Sequence, residues 1–237
     1  MSKKIGSLIV IEGTDASGKE TQTKLLIDRL AKENIPCRQM SFPRYETPTG
    51  RIVGQCYLGK ERTYWKGDSQ WFGEADSLDP KVASLYYAGD RRAAIPEIKQ
   101  IINSGTNLVL NRYYQSNMAH QGGKLKTKKQ RDDMFRWLET LELKLLELPK
   151  EDLTIFLHMP TRVSIKLREG RNEKADGHES NIDHLHRAEE TYLQLADFYN
   201  WIKINCAPDG TIDSLRNQED IHEEVYQSII PFLSKNN

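Results

Sequence analysis

The sequence predicts an α/β protein with a doubly wound parallel sheet. Five short strand-like segments alternate with longer segments of helical character, the pattern of strands joined by helices. The stretch "GTDASGKET", residues 13–21, directly follows the first apolar segment, and glycine-rich loops of this kind connect a strand to a helix. The length of 237 residues suits a single domain, 1–237, that carries insertions.

The first strand is expected within "SLIVIEG", an apolar run with β-branched residues that ends in glycine. Further strands are expected within "CRQMSF", "TNLVLNRY", "LTIFLHM" and "WIKINCA". Doubly wound sheets bind ligands at the carboxyl ends of their strands. The candidate site residues are therefore sought where these segments end.

Helices are expected between the strands. The first covers "KETQTKLLIDRLAKEN", and a second should start at Pro80 with Asp79 as its cap and end at Gly105, with Pro96 kinking or interrupting it. A third, "RDDMFRWLETLELKLLEL", places six apolar residues on one stripe, which indicates core and leaves a share in a subunit interface open. The stripe consists of Met134, Trp137, Leu138, Leu141, Leu145 and Leu148.

Two segments do not follow the alternation of strands and helices. An insertion at about 46–78 is rich in glycine and aromatic residues, among them Trp65 and Trp71. A second segment, at about 168–181, is "REGRNEKADGHESN" and is highly charged. Each is either a mobile loop over a site or solvated surface.

Composition excludes several classes of function. The 34 basic and 34 acidic side chains cancel, so no overall field attracts nucleic acid or an anionic membrane. Cys37, Cys56 and Cys206 lack metal-binding spacing, which favours reduced thiols in a cytoplasmic protein. The first apolar run is too short for a signal peptide, and no stretch approaches the ~20 apolar residues that cross a bilayer.

The stretch at 13–21 predicts a nucleotide-phosphate site. Gly13 and Gly18 allow a tight turn, so that successive N–H groups and the positive end of the following helix face phosphate oxygens. Lys19 would reach the β- and γ-phosphates. The predicted site comprises Gly13, Thr14, Asp15, Ala16, Ser17, Gly18, Lys19, Glu20 and Thr21.

Two acids in this stretch need an explanation. Asp15 would repel polyphosphate unless it contacts Mg²⁺, a water molecule, or a cation or hydroxyl of a second substrate. Glu20 replaces the serine or threonine that usually follows the lysine and helps to hold Mg²⁺. Because acids are favoured in the first turn of a helix, Glu20 is expected to point away; a role in the magnesium shell is the alternative.

Arginines cluster after the second and third strands and in "YYAGDRR". Arg44 lies in "SFPRYETPTG", Arg91 in "YYAGDRR" and Arg112 in "NRYYQSNMAHQGG". The planar guanidinium can donate two hydrogen bonds to one phosphate. Several arginines beside a phosphate loop therefore predict a second phosphorylated ligand.

In the order and spacing of these motifs the sequence resembles the thymidylate kinases over nearly its whole length. The shared features are the acid in the phosphate loop, "FPR", "YAGDR", the "DRY"-like "NRYYQSN" and a basic lid. The resemblance implies a P-loop fold with a five-stranded parallel sheet wrapped by helices, and a homodimer. It also implies transfer of the γ-phosphoryl group of ATP to deoxythymidine monophosphate (dTMP), with Mg²⁺.

The resemblance also assigns roles by position. Lys19 would bind ATP phosphates, Asp15 would lie near the acceptor sugar and the metal, and Arg44 and Arg112 would lie at the acceptor phosphate. Tyr87 would stack on thymine and Arg91 would hydrogen-bond to it. The remaining residues expected at dTMP are Phe42, Pro43, Ser116, Asn117 and Gln121.

The lid is the charged segment at about 168–181, where the resemblance assigns catalytic charge to Arg168 and Arg171, and a metal contact to Glu179. This chain has Ala16 where some members carry a basic residue in the loop, so the lid would supply that charge. Asn111 departs from the usual Asp before Arg112.

Two alternatives to a thymidylate kinase stay open. One is another P-loop nucleoside or nucleotide kinase, although a nucleoside acceptor would have no phosphate for Arg44 and Arg112 to bind. The other is a degenerate nucleotide-binding regulator, an interpretation that Glu20 and Asn111 support.

Overall fold

Five parallel strands in the order β2-β3-β1-β4-β5 form the centre of the fold. The structure is a computed structural model and describes residues 5–59, 72, 75, 77–169 and 181–234. Every strand lies within a segment predicted from sequence, which confirms the α/β prediction. The strands are β1 (Leu8–Gly13), β2 (Cys37–Ser41), β3 (Asn107–Asn111), β4 (Leu153–His158) and β5 (Ile202–Asn205).

Helices cover both faces of the sheet. Alternate residues of β1 point to opposite sides, so Leu8 and Val10 join one apolar cluster while Ile9 and Ile11 join the other. The first cluster includes side chains of α3, α4, α5 and α7, and the second includes side chains of α1, α6 and α8. The helices are α1 (Lys19–Lys32), α2 (Pro48–Arg51), α3 (Pro80–Asn103), α4 (Tyr114–Gly122), α5 (Lys128–Glu139), α6 (Thr161–Glu169), α7 (Ile182–Tyr199) and α8 (Gln218–Ser234).

The register of the strands brings three predicted site segments to one edge of the sheet. Ile11 of β1 and Ser41 of β2 both pair with Asn111 of β3. The phosphate loop, "FPR" and "NRY" therefore begin side by side at the carboxyl ends of adjacent strands, as the sequence predicts.

Helix α3 begins as predicted, because the Asp79 carboxylate accepts hydrogen bonds from the amides of Lys81 and Val82. An interruption at Pro96 does not occur, since the helix continues to Asn103. Proline frees the carbonyl four residues earlier, on Arg92. Both Arg92 and Pro96 are exposed, so this carbonyl lies on the side of the helix that water can reach.

Helix α5 continues into a wider, π-helical turn over Thr140–Leu145, in which the Leu146 amide donates to the Leu141 carbonyl at 2.9 Å. The predicted stripe is otherwise confirmed, but Leu145 is 70% exposed. A π turn holds more residues than an α turn, so it changes the face on which the following side chains lie. Glu142 lies in the interior instead.

The insertion at about 46–78 begins as folded structure. Helix α2 continues into a π-helical turn over Ile52–Tyr57, and Val53, Tyr57 and Leu58 pack against Ala75 and Ala83. The solvated-surface interpretation is therefore wrong for this part of the insertion. Trp65 and Trp71, and residues 170–180 of the charged segment with Arg171 and Glu179, lie outside the described residues.

Within the part of the chain that the structure describes, no helix is both long and apolar enough to span a bilayer. Cys37, Cys56 and Cys206 are free thiols, as expected.

Candidate active site

The phosphate loop connects β1 to α1. A side chain at Gly13 would bring its Cβ to 2.7 Å from the carbonyl oxygen of Leu157, so only glycine fits. Gly18 has a φ of +78°, which glycine adopts without strain. The Thr14 hydroxyl donates to the Met159 carbonyl at 2.6 Å and accepts from the Met159 amide, which fixes the loop to the end of β4.

Lys19 lies against this loop. Its ammonium group donates to the carbonyls of Gly13 at 3.0 Å and Thr14 at 2.8 Å. Burial lowers the pKa of Lys19 to about 7; Arg112 lowers it too, whereas Asp15 and Glu12 act in the opposite direction. A bound phosphate would add negative charge here and favour the protonated ammonium.

Asp15 and Arg112 form an ion pair of 3.0 Å across the end of the loop. Burial alone would raise the pKa of Asp15. The positive charges of Arg112, Lys19 and His120 outweigh burial and hold this pKa below the usual range of a carboxyl group. The Arg112 guanidinium also contacts Ser116 and His120, each at 3.3 Å. Arg112 is thus a fixed cation beside the phosphate loop.

Glu12 is a site residue that the sequence reasoning missed. It is fully buried at the end of β1 and accepts hydrogen bonds from the amides of Tyr113 and Ser116. Its other oxygen accepts from the hydroxyls of Ser116 at 2.7 Å and Tyr192 at 3.0 Å. The sequence signal for Glu12 was an acid within the apolar run "LIVIEG". A carboxylate buried in such a strand needs several hydrogen-bond donors around it.

His120 and Tyr192 were missed as well. Tyr192 of α7 accepts a hydrogen bond from Arg112 at 3.3 Å. His120 Nδ1 lies 3.2 Å from Nε2 of His184, also on α7. Tyr192 lies in a helix without a local motif, so only the fold brings it to Arg112, whereas His120 lies within "NRYYQSNMAHQGG" itself.

A cavity of about 480 Å³ opens beside the loop. Asp15, Asn111 and Arg112 line its phosphate end, while Tyr87 and Arg91 are among the other lining residues. The cavity brings together most of the predicted acceptor residues from three segments of the chain. Those on its wall are Phe42, Pro43, Tyr87, Arg91, Arg112, Ser116, Asn117 and Gln121.

Comparison with known proteins agrees with this geometry. The family model described as thymidylate kinase matches residues 11–225. This chain belongs to the thymidylate kinase family. The matched residues include the phosphate loop and the segments that line the cavity.

Individual thymidylate kinases are similar along nearly their whole length. That of Plasmodium falciparum is 27% identical, covering 96% of this chain and 91% of its own. The human one is 27% identical, covering 95% and 90%. The solved structure of thymidylate kinase from Candida albicans superimposes with a TM-score of 0.68 at 22% identity, covering 98% and 93%, and confirms the fold.

In this family member, Arg44 lies beside the cavity but does not line it. Its amide donates to Asp90 Oδ2 at 2.8 Å, and its guanidinium donates to the Asp90 carbonyl at 3.2 Å. Asp90 of α3 is itself buried and also accepts from Thr49. The structure thus brings Tyr45, rather than Arg44, to the wall.

Glu20 is exposed, yet it lies on the wall of the same cavity. Its outward orientation and a role in the magnesium shell both stay predictions, and its place on the wall favours the second. Asn111 is also on the wall, and its Oδ1 accepts no hydrogen bond from the described residues.

The described residues contain no cluster of three side chains suited to hold a metal ion. Asp15 and Glu20 are carboxylates on the cavity wall. Mg²⁺ usually binds one or two carboxylates together with substrate phosphates and water, so these two acids fit such an ion. Arg168 is half-buried near the end of α6 and does not line the cavity.

Proposed function

We propose that this chain transfers the γ-phosphoryl group of ATP to dTMP, giving dTDP and ADP. The observation that carries the proposal is the cavity with Asp15 and Arg112 at one end, beside the loop that holds Lys19, and with Tyr87 and Arg91 on its wall. Its volume of about 480 Å³ lies within the usual range of small-molecule sites.

The phosphate end suits phosphoryl transfer, which depends on positioning and on neutralising charge. The loop amides and Lys19 bind the donor phosphates, and Arg112 lies where a planar fork can bind the acceptor phosphate. Asp15 and Glu20 are the residues that would hold Mg²⁺, and the bound ion would supply further positive charge. Arg168 and Arg171 add charge from the lid.

The rest of the cavity suits a nucleoside. Tyr87 presents an aromatic side chain for stacking, and Arg91, Asn117 and Gln121 supply polar groups for the edge of the base. Phe42 and Pro43 add apolar surface to the wall, and Ser116 lies beside Arg112. Arg44 holds the acceptor phosphate from beside the wall.

Three further features belong to the proposal. Mg²⁺ is the cofactor, because two carboxylates lie close to the phosphate loop. The active form is a homodimer, and the exposed apolar side chains Val82, Leu85 and Leu145 are ones that a second copy could cover. The protein acts in the cytoplasm, with its three cysteines reduced.

An assay of ADP release with ATP, Mg²⁺ and a panel of nucleosides and monophosphates tests the proposal. The expected result is a clear preference for dTMP over thymidine and over purine monophosphates. Turnover of thymidine without turnover of dTMP would instead establish a deoxynucleoside kinase. Nucleotide binding without turnover of any acceptor would establish a binding regulator.

A further inference from the structure

The segment after α5 brings a carboxylate into the interior beside the cavity. In the π-helical turn over Thr140–Leu145, Leu145 faces solvent and Glu142 is fully buried. Single π turns occur frequently at functional sites. The apolar stripe of α5 does not explain a buried acid at this position.

Glu142 binds the guanidinium of Arg91 with both carboxylate oxygens. Arg91 Nε donates to Oε2 at 2.9 Å, and Nη2 donates to Oε1. Among the described residues, Glu142 is the only hydrogen-bond partner of this guanidinium. Because Arg91 lines the cavity, the donors on Nη1 remain for a ligand.

The same carboxylate lies beside a second residue of the wall. Asn117 Nδ2 is 3.5 Å from Glu142 Oε1, at the limit of a hydrogen bond, and donates to the Ser84 carbonyl at 3.3 Å. Glu142 therefore contacts two polar side chains that line the cavity, although it does not line the cavity itself.

Stability alone does not account for this ion pair. Burial would lower the pKa of Arg91, but Glu142 together with Tyr113 and Asp90 outweighs burial and raises it above its ordinary value. Well-packed apolar side chains often stabilise an interior as well as or better than a buried ion pair does. What the pair does provide is direction, because a planar guanidinium held at two points has a fixed orientation.

We propose that Glu142 is a positioning residue for acceptor selection, which holds Arg91 so that it pairs with a base that has a carbonyl group and rejects one that has an amino group there. This inference rests on the proposed function and extends it to a residue without substrate contact. Arg91 can only donate, so a carbonyl oxygen pairs with it. A base with an amino group at this place leaves a buried N–H group of Arg91 without an acceptor, which weakens binding.

The test compares dTMP with 5-methyl-deoxycytidine monophosphate, which keeps the methyl group and has an amino group in place of one carbonyl. The dissociation constants of both nucleotides are measured by calorimetry for the wild type, Glu142→Gln and Glu142→Asp, together with kcat for dTMP and the melting temperature. Glu151→Gln is the matched control, because Glu151 accepts from Tyr114 at 3.0 Å and does not line the cavity.

The expected result for Glu142→Gln is a loss of selectivity of about tenfold or more, mainly through weaker binding of dTMP. Glu142→Asp keeps the charge but moves it by one methylene group, so selectivity should fall while the melting temperature stays closer to that of the wild type. Glu151→Gln should lower the melting temperature without changing selectivity.

Unchanged selectivity in folded Glu142→Asp or Glu142→Gln would overturn the inference, as would selectivity that falls only in step with the melting temperature across all three variants. The wild type separates this failure from failure of the proposed function. If the wild type does not phosphorylate dTMP, the proposed function is wrong and the inference is wrong with it. If the wild type does phosphorylate dTMP, the selectivity of the Glu142 variants alone decides whether the inference holds.

Discussion

The phosphate loop with Lys19 is one short segment of the chain, whereas the base-binding wall combines helical segments far apart in sequence. Lys19 bonds to carbonyls only a few residues away on its own loop. Arg91 of α3 and Asn117 of α4 depend on Glu142, which follows α5. The phosphate loop thus depends largely on one short segment, while the positions of Arg91 and Asn117 depend on tertiary packing. Variants at the two ends should therefore fail in different ways.

The largest effect is expected for Lys19→Ala at the phosphate end. Removing the charge at the transferred group should lower kcat on the order of 100- to 1000-fold for every acceptor. Lys24→Ala, at an exposed position on the same helix, is the control and should be near wild type. Steady-state assays measure both. A Lys19→Ala enzyme with wild-type kcat would show that the loop does not act in catalysis.

At the base-binding wall, Tyr87→Ala should weaken acceptor binding without a comparable loss of kcat. Stacking is worth about 1–3 kcal/mol per base, so the KM for dTMP should rise roughly 5- to 150-fold while the KM for ATP changes little. Tyr86→Ala serves as control, since Tyr86 stacks on Phe72 at 4.5 Å and does not line the cavity. Equal losses for ATP and dTMP would remove the distinction between the two ends.

A pH profile probes the phosphate end alone. Lys19, with a pKa lowered by burial to about 7, loses its proton as the pH rises, so the form that binds phosphate disappears above pH 7. The kcat/KM for ATP, which reports on the free enzyme, should fall about tenfold per unit at alkaline pH. Bound phosphates raise this pKa, so kcat should fall later.

Lys19→Arg is the control for this profile. The guanidinium stays protonated, so whatever activity it retains should lose the alkaline fall in kcat/KM. A wild-type kcat/KM for ATP that stays flat to pH 9 would contradict a Lys19 pKa that burial lowers to about 7.

The smallest effect is expected for Glu20→Gln. Because Glu20 is exposed on the cavity wall, loss of its charge should raise the Mg²⁺ concentration needed for half-maximal rate several-fold, with little change in KM for dTMP. Asp28→Asn, exposed on the same helix, should leave the Mg²⁺ dependence unchanged. If both variants behave alike, Glu20 has no role at the metal.

The same division explains what the sequence could predict. The five strands, the phosphate loop and the Asp79 cap follow from short-range patterns, and these predictions are confirmed. Leu145 was assigned to the core because the stripe assumed α-helical spacing throughout. The π-helical turn changes that spacing, and the change also brings Glu142 inside.

The candidate site was predicted unevenly for the same reason. Tyr87, Arg91 and Asn117, which the family resemblance assigns to dTMP, line one cavity, and their contacts with dTMP stay predictions. The contacts that hold them and Arg112 in place join residues far apart in the chain, such as Tyr192 with Arg112. No local spacing encodes such contacts, so only the fold shows them.

The most direct measurement follows the transferred group itself. ATP labelled in its γ-phosphate is incubated with the enzyme, Mg²⁺ and dTMP, and the labelled products are separated. We expect label in the β-phosphate of dTDP, only when dTMP is present, and no comparable labelling when thymidine replaces it. Label in inorganic phosphate alone, or in dTMP formed from thymidine, would contradict it.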